Sequence, residues 1–79
     1  MDWVKLVWDF HGPDAKGTAE HHVIHIDEFV ERESIASKGS GIESEAEAHY
    51  MAFLIVHKDN MIAIRDALRP NRAFHAQIE

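Results

Sequence analysis

Seven of the 79 residues are histidine: His11, His21, His22, His25, His49, His57 and His75. Neutral imidazole is a common ligand of zinc, copper, nickel and iron, and three or four converging His or carboxylate groups make a site. Protonation of all seven rings would carry the formal net charge from −6 to +1. His21 and His25 stand i, i+4, which puts both rings on one face of a helix. The run His21-His22-Val23-Ile24-His25 approaches the H-E-x-x-H pattern of zinc proteases. Its second position is His22 instead of the general-base Glu, and that excludes the protease chemistry.

Other chemistries fail on residue type. The chain has no cysteine, so disulfides, zinc ribbons, iron–sulfur ligation and thiol catalysis are excluded. Gly39-Ser40-Gly41 lacks the spacing of a phosphate loop or a dinucleotide site. No serine sits in a nucleophile elbow. Eight basic residues against fourteen acidic ones argue against a nucleic-acid partner, because phosphate-backbone binding needs a basic face. Trp3, Trp8 and Tyr50 lack the interleaved cations of a base-stacking surface. No apolar run is long enough for a membrane span, and Met1-Asp2-Trp3 has no basic stretch ahead of an apolar one. A cytoplasmic location is the expectation.

The elements that must position the histidines follow from periodicity. Trp3 to Phe10 alternates with period two, with Val4, Leu6, Trp8 and Phe10 on one side and Trp3, Lys5, Val7 and Asp9 on the other. Gly12-Pro13 ends this strand. From Thr18, a candidate N-cap with Asp14 as the alternative start, Ala19, Val23, Ile26 and Val30 form a helical stripe. Ser34 to Lys38 reads as a short strand, Gly39 to Gly41 as a bend or bulge, and Glu43 to Glu47 as an acidic hairpin tip. His49 to His57 is apolar on both parities and predicts a strand buried on both faces. Lys58-Asp59-Asn60 reads as a turn and N-cap. Met61, Ile64 and Leu68 make a second amphipathic helix that Pro70 stops. Phe74, Ala76 and Ile78 alternate in a last strand, Ala73–Ile78.

The order is β-α-β-β-α-β over a single domain, residues 1–79. It predicts an α+β, ferredoxin-like βαββαβ fold, a four-stranded antiparallel sheet with two helices on one face. The first strand and the Tyr50–Val56 strand are expected side by side in its centre. This topology is expected to gather His11, His21, His22 and His49 at one rim, with His75 just inside it and His57 at the opposite rim. The metal candidates are therefore His11, His21, His22 and His49, holding a divalent transition metal. His11 and His22 are the candidate ligand-binding residues. His21 and His25 have a plainer reading as a solvated stripe with Glu28 and Arg32, and His22 as a core-edge residue. Arg69, Asn71 and Arg72 read as partners of a helix C-terminus.

The element order, the short length and the doubly apolar central strand resemble small bacterial dimeric α+β barrel proteins. These include the antibiotic-biosynthesis-monooxygenase-like and YciI-like families. The run Glu20 to Phe29 is similar to their first helix, which often carries histidine. The resemblance implies two ferredoxin-like protomers packed sheet against sheet, and it assigns no catalytic residue.

Small size points the same way. Two helices cover one face of the sheet, and each large apolar side chain left on the other forgoes roughly 1.5–3 kcal/mol of burial. A homodimer through that face is expected. Two functions remain open. One is a dimeric module that binds a small molecule or partner, with a histidine-rich metal site. The other is an oxygenase-like or isomerase-like enzyme using His11 and His22 in a helix–sheet cleft.

Overall fold

A computed structural model describes residues 2–77. Strand β1 (Trp3–His11) is followed by helix α1 (Ala15–Arg32), then by strands β2 (Ser37–Ala46) and β3 (His49–His57). A single 3-10 turn (Lys58–Asn60) leads into helix α2 (Met61–Leu68), and β4 (Arg72–Ala76) follows. The four strands form one antiparallel sheet in the order β2-β3-β1-β4, with β1 and β3 in the centre as their apolar sequences require. Ile78, expected in the last strand, lies outside the described residues. No helix among the described residues is long and apolar enough to cross a membrane.

One parity of the central strands makes the core. Val4, Leu6 and Trp8 of β1 join Ala52, Leu54 and Val56 of β3, and Ile26 of α1 and Ile64 of α2 close over them. Both helices therefore pack on one side of the sheet, with Val23, Phe29, Val30, Met61 and Leu68 filling the margins. The opposite parity, Met51, Phe53 and Ile55, is only half-buried. Val7 shares that opposite parity yet is 2% exposed within the single chain. It stands between Phe53 and Arg72 in the sheet.

The structure departs from the sequence reading at several ends. Helix α1 begins at Ala15, and Thr18 is not its cap; its hydroxyl donates back to the Asp14 carbonyl from inside the first turn. Asn60 makes no side-chain cap at α2. The His57 ring caps the preceding turn instead, with Nδ1 accepting from the Asp59 N–H. Of the acidic stretch only Glu47 lies in the hairpin tip, a two-residue turn with Ala48, while Glu43 and Glu45 belong to β2, which runs to Ala46. Register shifts between Ser37 and Gly39 and between Ser44 and Ala46 let this irregular strand follow β3. Gly39 takes φ +134 at the first shift, a conformation open to glycine alone among common residues.

Trp8 ties the layers together. Its indole N–H donates to the Leu68 carbonyl at 2.7 Å, holding the last turn of α2 against β1. Arg69 then adopts a left-handed conformation (φ 51), and the Asn71 N–H bonds to the Val7 carbonyl at 2.8 Å. Those two bonds set where β4 starts. Trp8→Phe removes the indole N–H together with part of the buried ring, leaves the Leu68 carbonyl without that donor, and should cost at least about 1–3 kcal/mol in urea unfolding. An unchanged midpoint would show that the bond does not hold α2 in place.

Candidate functional site

The face of the sheet turned away from the helices carries rings and cations together. Trp3, Lys5, Val7, Asp9 and His11 come from β1, Met51, Phe53 and Ile55 from β3, Arg72 and Phe74 from β4, and Gly41 and Glu43 from β2. Lys5 lies over the Phe53 ring at 4.8 Å, Lys38 over Trp3 at 4.9 Å and Arg72 over Phe74 at 5.5 Å. Such contacts contribute about 0.5–1 kcal/mol each at exposed sites, and the aliphatic stems cover apolar surface at the same time. Gly41 leaves room for the Phe53 ring, since a Cβ there would stand 3.1 Å from its edge.

Charges on this face are paired across strands. Lys5 meets Glu43. Arg72 embraces Asp9, Nε donating to Oδ2 at 2.9 Å and Nη2 to Oδ1 at 2.6 Å. His49 Nε2 also meets Asp9 Oδ1 at 2.8 Å, and its Nδ1 faces Glu45 at 3.3 Å. The Asp9 backbone N–H donates to Asn71 Oδ1, so the backbone is held with the carboxylate. His11 stacks on His49 with ring centres 4.1 Å apart. Burial alone would raise the pKa of Asp9. The hydrogen bonds from His49 and Arg72, with their charges, outweigh it and hold the carboxyl below its ordinary value.

The expected four-histidine site does not assemble. His11 and His49 face each other in the β1–β3 register and belong to the uncovered face. His22 lies on the other side of the sheet, its ring centre 5.1 Å from Trp8 and 5.5 Å from Phe10. His21 stands exposed on α1 and pairs with His25. Strand alternation is the reason: β1 residues of odd number point away from the helix layer that carries His21 and His22. No group of three or more His, Asp or Glu able to hold a metal occurs among the described residues. For the same reason His11 and His22 do not share a helix–sheet cleft. His75 lies opposite Val4, toward the His57 end of the sheet and not at the His11 rim. β4 pairs no farther along β1 than Val7, so Arg72, not His75, reaches the polar group. Arg72 is the member that the sequence reading placed at a helix end. Its odd-parity partner Val7 is the signal that could have found it.

Among the described residues, His22 carries the one buried imbalance. Its Nε2 is buried with no hydrogen-bond partner. Burial, with the neighbouring His25 and His21, lowers its pKa. No protein-family model, curated protein or solved structure matches the chain.

As pH falls through the ordinary imidazole value of about 6.5, the unfolded chain takes up the His22 proton before the native chain does. Stability from this residue is complete above that pH and is lost on acidification toward the lowered native value. Urea midpoints from pH 7.5 to 5 should therefore fall less steeply in His22→Phe than in the parent. Parallel slopes would mean that His22 adds nothing to acid sensitivity.

Proposed function

We propose that this chain is a small binding module that pairs with a second copy of itself through the uncovered sheet face, in a ferredoxin-like fold. The fold reading is supported by the β-α-β-β-α-β alternation and by both helices packing on one side. The observation that carries the pairing is a face of Trp3, Phe53, Ile55 and Phe74 whose cations Lys5 and Arg72 already hold carboxylates from neighbouring strands. Local neutralisation lowers the cost of taking those charges out of water. A second copy presents the same face about a two-fold axis and extends a core that 79 residues keep small. A small molecule held in the seam would meet the Arg72–Asp9–His49 group toward one end and Trp3 with Phe74 toward the other.

One contact favours an enzyme: Asp9 against His49 is the kind of pair that orients a general base. Yet both nitrogens of that ring face carboxylates, Asp9 and Glu45, which leaves neither open toward a substrate. Binding is therefore the reading the geometry supports better.

Val7 is buried within one chain, so a charge placed there would disturb the single-chain fold as well as the pairing. Phe74 is 47% exposed and can be changed without disturbing the core. Light scattering should give about twice 9.0 kDa for the parent chain and a folded monomer for Phe74→Glu. A parent chain that is monomeric and folded at about 100 µM would overturn the pairing, since that bounds any association to weaker than about 5 kcal/mol.

A further inference from the structure

Two nitrogen donors on α1 stand where a metal ion needs them. His21 and His25 are both exposed, one helical turn apart, with their Nε2 atoms 3.0 Å apart and their rings crossed at 82°. Metal–imidazole bonds measure about 2.0–2.1 Å, so nitrogens at right angles about one ion lie about 2.9 Å apart, and at the tetrahedral angle about 3.4 Å. The observed separation fits adjacent corners of a square, the tetragonal geometry of Cu²⁺ and Ni²⁺.

A second observation concerns the outer nitrogen. His25 Nδ1 faces Glu28 Oε1 at 3.3 Å. Metal-binding histidines commonly donate their other N–H to a carboxylate, which fixes the tautomer and the ring. With its proton on Nδ1, His25 keeps a lone pair on Nε2. His21 Nε2 lies 3.0 Å from that nitrogen and, as an N–H, donates to its lone pair. When an ion enters, the His21 proton shifts through solvent to its own Nδ1, and both Nε2 atoms become ligands with no change in ring charge.

We propose that His21 and His25 form a two-imidazole chelate for Cu²⁺, with Glu28 orienting His25 and water in the remaining positions. Copper(II) is the ion of choice because it heads the affinity order of the divalent first-row metals at nitrogen sites. The site belongs to the helix layer and does not depend on pairing of the sheets.

The test is calorimetric titration of tag-free protein with CuCl₂ in a non-coordinating buffer, with electron paramagnetic resonance of the complex. One Cu²⁺ per chain should bind with Kd below about 0.1 mM, and the spectrum should show coupling to two imidazole nitrogens. His21→Ala and His25→Ala should each weaken binding at least about tenfold and remove one nitrogen coupling. Glu28→Gln should weaken it by a smaller factor, and His75→Ala should leave it unchanged. His21→Gln and His25→Gln repeat the measurement should an alanine variant fail to fold. A smaller loss in either histidine variant, or copper binding without imidazole coupling, overturns the site.

Discussion

The continuous pairing of β1 with β3 is the constraint from which the rest follows. Nine residues of each strand face one another from Trp3–His57 to His11–His49. Along such a ladder side chains alternate strictly between faces, so one register decides the destination of every residue on both strands. With β3 held in place, a slip of β1 by one position would send Val4, Leu6 and Trp8 to the open face and bring Asp9 and Lys5 under the helices. Burial of those charges against Ile26 and Ile64 is far more costly than any gain in pairing. The hydrophobic effect therefore fixes the register, and the register in turn places the Asp9–Arg72–His49 group and the aromatic row on the opposite face.

Much of this was legible in the residues. The alternation of Val4, Leu6, Trp8 and Phe10 marks a strand with one core face, and the doubly apolar Tyr50–Val56 run marks its central neighbour. The helical stripes of Val23, Ile26 and Val30 and of Met61, Ile64 and Leu68 mark what covers them. The second strand was far less readable, for a physical reason. Its residues Ser37 to Ala46 include two glycines, three serines and charged side chains, none of which favours a strand by itself. It is held by hydrogen bonds to β3 and by the fit of the Phe53 ring over Gly41, neither of which leaves a local periodicity.

The candidate site was half-legible. That His11 and His49 meet follows from the topology and the strand ends alone. That His21 and His22 join them does not, because the helices and the odd residues of β1 lie on opposite sides of the sheet. Arg72 escaped notice because its role depends on where β4 begins. That point is set by bonds from Trp8 to Leu68 and from Asn71 to Val7, which are contacts far apart in the chain. The cations over Trp3, Phe53 and Phe74 come from three strands, so no linear motif records them.

The two outer strands of the sheet bear on how the protein can fail as well as how it associates. An exposed strand edge is a template for adding another chain by backbone hydrogen bonds, which is the route to fibrils. Here one edge is β2, interrupted by shifts near Lys38 and Glu45 and lined with charge. The other is β4, only five residues long and preceded by Pro70. Neither offers a long, flat, apolar ribbon. Open-ended growth along the sheet is thereby discouraged, while the face that carries Trp3 and Phe74 stays available for a contact that closes on itself.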